Sequence, residues 1–285
     1  MRTADRQRPP PGELYLDHIS HFVPDLERAG AILEALGFAV TPASAQVTQD
    51  GPAGTSNRCV MLNEGYLEFL TPTMDTPNAG RMRKSMRRYR GVHLVCFGTP
   101  TADEEHFRLG HHGFAPQPIV RLSRRVEDGM TVRFAVVRAA PGKMPEGRIQ
   151  YVEHLAPRAI WRAKHLRHRN GVTGLAAVYV VAANPVRAAV RWARFTAGLP
   201  RREGALISLE TDRGRILIGS RAQMKRLLGA APPSPGIAGY ALACRDPKAF
   251  ARRCAAAGLK VNRNLSVVLP PALGGAWHLV SWRKS

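Results

Sequence analysis

The sequence has no apolar run of the ~18 residues that a membrane-crossing helix needs, and its opening, MRTADRQRPPPGE, lacks the apolar stretch of a secretory leader. Those two absences predict a cytoplasmic protein with residues 1–13 as a flexible tail. Cysteine is scarce. Cys59, Cys96, Cys244 and Cys254 make no C-x-x-C pair and no zinc-ribbon spacing, so reduced, mostly buried thiols are expected. Also missing are a phosphate-cradling G-x-x-x-x-G-K-[ST] loop, a G-x-G-x-x-G turn, an H-E-x-x-H zinc helix and a G-x-S-x-G nucleophile elbow. Acidic residues are few: 21 against 42 lysines and arginines, a net charge of +21. The excess is mostly arginine and runs along the whole chain. Scattered charge argues less for a nucleic-acid interface, whose basic footprint is clustered, than for an anionic small-molecule substrate that draws on the charge.

What is present is a repeat, together with 45% hydrophobic residues in 285, enough for a sizeable core. Four segments open with a short apolar strand: LDHISHFVPDL (16–26), GVHLVCFGTPT (91–101), GLAAVYVVAANP (174–185) and GIAGYALACRDP (236–247). A helix of about ten residues follows each and stops at Gly37, Gly113, Gly198 or Gly258, the favoured left-handed cap. Further strands close each unit: 58–62 and 66–70, 131–137 and 148–155, 205–210 and 215–219, 266–270 and 276–282. Each unit therefore reads β-α-β-β-β. The expected class is α+β, with four βαβββ modules (14–75, 91–157, 172–220, 236–285) paired into two curled mixed-sheet halves. The halves would be 14–160 and 172–285, joined by the basic linker 161–171. The run RMRKSMRRYR (81–90) has six basic residues in ten. It is expected as a solvated connector helix, with a docking patch for a phosphate-bearing substrate as the sharper alternative.

The segments LDHISHFVPDLERAGAILEALGF, GTSNRCVMLNEGYLEFL, GVHLVCF and IQYVEHLAP resemble the vicinal oxygen chelate superfamily, in particular its glyoxalase-like branch. The resemblance covers most of the chain as a repeat and residues 14–157 as motifs. It implies the paired-module fold. It does not single out a reaction, because one fold hosts many.

His18 and His93 occupy the opening strands of the first two modules, and Glu68 and Glu153 their last strands, 50 and 60 residues further on. A histidine or carboxylate facing a sheet interior is costly unless paired or bound to a cation. The expectation is therefore a divalent ion (Zn, Ni, Mn or Fe(II)) held by His18, Glu68, His93 and Glu153. The resemblance implies the same four-ligand set, or two His and one Glu should Glu68 stand apart. Tyr66 and Tyr151, two residues before the glutamates, are candidate catalytic hydroxyls beside Glu68 and Glu153. Asn57 and Arg58 are candidate substrate contacts. The module positions matching His18 in the second half are Ala177 and Gly239, and His278 and Glu210 have no repeating partner. That half is expected to shape the pocket or an interface.

The favoured function is a metal-dependent isomerase or lyase of glyoxalase type, acting on a small oxygen-rich substrate through an enolate-like intermediate. The competing readings are an Fe(II) extradiol-type dioxygenase and a non-catalytic binding or resistance protein. A homodimer remains open.

Overall fold

The computed structural model describes residues 3–126 and 129–281. Module one is β1 (Tyr15–Phe22), α1 (Leu26–Ala35), β2 (Ser44–Thr48), β3 (Gly51–Met61) and β4 (Tyr66–Pro72). Helix α2 (Pro77–Arg88) leads to module two: β5 (Gly91–Gly98), α3 (Ala102–His111), β6 (Val120–Arg125), β7 (Thr131–Arg138) and β8 (Arg148–His154). A short helix α4 (Pro157–Ile160) begins the crossing to the second half. Module three comprises β9 (Val172–Val181), α5 (Pro185–Thr196), β10 (Pro200–Glu203), β11 (Leu206–Glu210) and β12 (Arg215–Gly219). Helix α6 (Arg221–Leu228) precedes module four: β13 (Gly236–Cys244), α7 (Pro247–Ala256), β14 (Lys260–Val261), β15 (Ser266–Val268) and β16 (Ala276–Ser281). The mixed α+β class and the four βαβββ modules are as expected. The last strand was expected to reach Trp282, which lies outside the described residues.

Local chemistry explains the module outline. Asp25, Asn184 and Asp246 end their strands' turns and accept the backbone N–H three residues on, capping α1, α5 and α7. Gly37, Gly113 and Gly258 take positive φ where their helices stop. The third stop differs, because Ala197 rather than Gly198 adopts the left-handed conformation, at φ 54°. The turn between β3 and β4 does need its glycine: Gly65 has φ 78°, and a Cβ there would lie 2.5 Å from the Asp17 carbonyl oxygen.

The first two modules close into a barrel, in the order β1-β4-β3-β2-β6-β7-β8-β5. The antiparallel pair β1–β5 makes one seam, and the other is β2–β6, with Val47 opposite Ser123 and Thr48 opposite Leu122. The last two modules form an open eight-stranded sheet, β10-β11-β12-β9-β13-β16-β15-β14. One hydrophobic core spans both halves, joining Leu16, Ile19 and Phe97 of the barrel to Trp192, Phe195, Leu242 and Trp277. Smaller clusters fill the barrel interior and the inner face of the open sheet.

Residues 3–13 are not the loose tail expected. Thr3–Arg6 forms a 3-10 helix, and the buried Gln7 donates to Thr3 and Asn63 carbonyls while accepting from the Gly65 N–H. Buried amides persist only when so satisfied. All four cysteines are free and buried. Among the described residues no helix is long and apolar enough to cross a membrane.

Candidate functional site

The barrel encloses a cavity of about 410 Å³. Strand alternation decides what reaches it. His18 from β1, Asn57 from β3, Tyr66 and Glu68 from β4, Leu94 from β5, Arg124 from β6, Arg138 from β7, and Arg148 and Gln150 from β8 line it.

Glu68 is fixed on both oxygens. Ser20 Oγ donates to Oε2 at 2.6 Å, and Asn57 Nδ2 donates to Oε1 at 2.6 Å with Gln46 Nε2 at 3.3 Å. His18 Nε2 lies 3.9 Å from Glu68 Oε2, and the His18 ring stacks on Tyr66 at 4.3 Å between centroids. On its other side His18 Nδ1 meets Asp17 Oδ1 at 2.7 Å, and the second Asp17 oxygen takes His154 Nε2 at 2.9 Å. A register shift between Leu16 and His18 marks a bulge at Asp17, a device that re-aims side chains beside functional sites. Burial would raise the Asp17 carboxyl, but His154 and His18 together hold it well below the usual carboxylate range. Burial likewise opposes a charge on His18, and the Cys96 sulfur and Asp17 outweigh it, so its pKa is raised well above the ordinary imidazole value. The result is a buried Asp17–His18 pair beside the Cys96 sulfur, with His18 Nε2 turned toward Glu68.

Cationic groups line the same space. Arg124 is buried and donates to Asn57 Oδ1 at 3.3 Å. Burial disfavours its charge, yet Cys59, Tyr66 and Glu68 raise its pKa above the guanidinium's ordinary value. Arg138 Nε donates to Gln150 Oε1 at 3.2 Å. Arg148 sits over the Phe22 ring at 5.6 Å.

Of the expected site residues, His18, Glu68, Tyr66 and Asn57 meet in the cavity and four others do not. His93 stacks on Tyr89 and Phe22 outside it, its Nε2 2.9 Å from the Tyr89 carbonyl oxygen. Glu153 Oε2 accepts the Ala102 N–H at 3.0 Å, and Oε1 lies 3.5 Å from Arg8. It satisfies the N-terminus of α3, whose cap residue Thr101 makes no side-chain bond. Tyr151 donates to the Phe195 carbonyl at 2.8 Å, at the junction with the second half. Arg58 pairs with Glu27 at 2.6 Å on the surface.

The reason is register. In module one His18 pairs with Tyr66 and Ser20 with Glu68; in module two Leu94 pairs with Arg148 and Cys96 with Gln150. The structural counterparts of His18 and Glu68 are therefore Leu94 and Gln150. His93 is one residue out of step and Glu153 three, and an odd offset puts a side chain on the opposite sheet face.

The residues do not fit the divalent ion that the resemblance implies. Module two offers Leu94 and Gln150 where ligands would stand, which leaves His18 and Glu68 as the ligating side chains of that set, and four guanidinium groups, of Arg81, Arg124, Arg138 and Arg148, share the cavity. Among the described residues no group of three or more His, Cys, Asp or Glu is placed to hold a metal.

Residues that sequence reasoning missed include Asp17, Arg124, Arg138, Arg148 and Gln150. The alternation Arg148, Gln150, Val152 in β8 carried the signal, once its parity was counted from the β5 pairing. The second half holds a further pair, Tyr179 Oη and His278 Nδ1 at 2.6 Å.

Comparison with known proteins agrees with this architecture. The glyoxalase-like domain family matches residues 16–196. A hypothetical protein from Staphylococcus aureus is similar over 94% of this chain and 100% of its own, with a TM-score of 0.68 and 12% identity. A triple mutant of 4-hydroxymandelate synthase from Streptomyces coelicolor is similar over 91% of this chain and 78% of its own, with a TM-score of 0.54 and 17% identity. A xylose isomerase-like TIM barrel/4-hydroxyphenylpyruvate dioxygenase fusion protein is similar over 90% of this chain and 42% of its own, with a TM-score of 0.55 and 14% identity. These identities carry the fold and no more. No curated protein matches the sequence. With its family match covering more than half the residues, the chain belongs to the glyoxalase-like domain family of the vicinal oxygen chelate superfamily.

Proposed function

We propose that the barrel binds a small organic anion and moves a proton on the carbon beside its carbonyl or carboxylate, as an isomerase or lyase does. The observation that carries this reading is the pairing of an Asp17-held His18 with Glu68 at 3.9 Å, opening on a cavity that four arginines line. Arg124, Arg138 and Arg148 would take the substrate's negative group. Glu68, aimed by Ser20 and Asn57, would accept the carbon-bound proton. The protonated His18 would return a proton to the oxygen or carbon where charge builds up, with Asp17 stabilising the imidazolium. Guanidinium and imidazolium groups fixed in a partly buried cavity stabilise an enolate more than they would in bulk water. No step passes through a metal ion, so the reading departs from the metal-dependent expectation and keeps its reaction class. It also departs from the dioxygenase alternative, which needs a facial His/Glu set on one ion.

The test is proton–deuterium exchange in D2O, followed by NMR over a panel of 2-oxo and 2-hydroxy acids, with and without chelator. A bound acid should exchange at the same rate in both. Glu68→Gln should slow exchange by about 10²–10⁴-fold, the usual range for a general base, while binding persists. Bound acids that never exchange would leave a binding protein only. Activity lost to chelator and restored by a divalent ion would return the site to metal chemistry.

A further inference from the structure

A second concave surface lies against the outside of the barrel wall. This groove of about 400 Å³ runs between α2 and the β7–β8 connection. Arg81, Lys84 and Arg88 line it from α2, Arg138 from β7 and Arg148 from β8, with His93 alongside. No aspartate or glutamate lines it, and among the described residues none of the five cations pairs with a carboxylate. Arg81, Arg138 and Arg148 also line the barrel cavity. The two spaces are therefore neighbours across one arginine wall.

Such an arrangement is unfavourable while empty. Like charges repel, and where solvent is partly excluded the repulsion is weakly screened. Burial, and then the neighbouring arginines, lower Arg138 to about 10 and Arg148 to about 9. His93 cannot join as a cation: burial, and then Arg88 and Arg148 against the Tyr89 carbonyl bond, leave it at about 4. Gly147 lines the groove where only glycine fits, since a Cβ there would come within 2.8 Å of the His93 carbonyl oxygen. A multiply charged anion offsets the repulsion, and a cluster of guanidinium groups matches phosphate oxygens bidentately.

We propose that this groove is a phosphate subsite, and that the ligand is a phosphorylated small organic acid with its acid end in the barrel and its phosphate among Lys84, Arg88 and the shared arginines. The second half of this statement rests on the reading of the barrel given above. The first half does not.

Titration calorimetry on the full chain separates the two, with inorganic pyrophosphate as the groove probe and pyruvate as the barrel probe. Of the two spaces, Lys84 and Arg88 line only the groove, Arg88 also donating to the Pro235 carbonyl, and Arg124 lines only the barrel; the variants are Lys84→Gln/Arg88→Gln and Arg124→Gln. Arg201→Gln/Arg202→Gln on the exposed strand β10 removes the same charge elsewhere. The groove pair should weaken pyrophosphate by about tenfold or more, the loss expected for charge-assisted hydrogen bonds, and leave pyruvate unchanged. The control pair should do neither. Equal pyrophosphate affinity in the groove pair and wild type, or an equal loss in the control pair, overturns the subsite. A short DNA duplex that displaces pyrophosphate at lower concentration than pyrophosphate itself, and does so only when Lys84 and Arg88 are present, reassigns the groove to nucleic acid and also overturns it. Pyruvate that binds Arg124→Gln as well as wild type defeats the barrel reading and the joined ligand while leaving the subsite standing.

Discussion

The two halves of the chain are built from the same module and end in different states. In the first, β2 and β6 meet and the eight strands close. In the second, β10 and β14 remain edges and the sheet stays open. Closure needs edge strands long enough to reach each other: β2 has five residues and β6 six, whereas β14 has two. The closed half carries an ion pair, a bonded glutamate and arginines in its interior. The inner face of the open half carries Ala177, Tyr179, Ala241 and His278, and the charged groups beside it, such as Glu64, Glu210, Arg213 and Arg215, come from loops and strand ends. The contrast teaches that charged groups carried by the middles of strands go with closure in this fold, while the open face takes its charges at loops and strand ends. Exclusion of water strengthens each electrostatic contact, and it makes each unpaired group costly.

The sharpest way to break that comparison is Asp17→Ala. Removing a carboxylate that holds two buried imidazoles should cost about 3–5 kcal/mol, as for other broken buried pairs, read as a shift in denaturant midpoint. A change below about 1 kcal/mol would show that the barrel interior tolerates charge no differently from the open sheet.

The next effect is pH dependence at the boundary between the halves. His21 bonds the Leu273 carbonyl and the Tyr240 hydroxyl, and burial lowers its pKa to about 4; burial does the same for His93. Folded pKa values below the unfolded value of ~6.5 favour the neutral rings. Their contribution is therefore complete above pH ~6.5 and is lost as pH falls toward about 4. Each amounts to roughly 3 kcal/mol by that linkage. Denaturation between pH 7 and 4 should reveal it, and stability flat across that range would contradict it. Asp17, with its depressed pKa, adds a further loss only at lower pH.

The smallest effect belongs to the open half. Tyr179→Phe removes the bond to His278 and should cost about 1 kcal/mol, the ordinary value of one hydrogen bond, because solvent reaches that face. It should leave exchange and anion binding in the barrel unchanged. A loss of barrel activity would tie the two halves together functionally.

Much of this was legible beforehand. Apolar openings and glycines near the helix ends marked all four modules, and Asp or Asn caps three of them, because helix and strand signals are local. His18, Glu68, Tyr66 and Asn57 were visible as polar groups in apolar strands. Helix α6 and strands β2, β6, β10 and β14 were not singled out, since α6 is only eight residues long and the strands are short and largely polar or exposed. Arg124, Arg138 and Arg148 were hidden among arginines spread along the chain. His93, Glu153 and Tyr151 were misplaced because repeat-equivalent spacing was matched by residue type rather than by parity.

The amino-acid order alone determined the modules, their element types and the polar candidates, since these depend on propensity, capping and period within a dozen residues. Tertiary structure alone decided which of those candidates share a cavity. A strand's faces alternate with every residue, and only the pairing of β5 with β8 and of β1 with β4 settles which face looks inward.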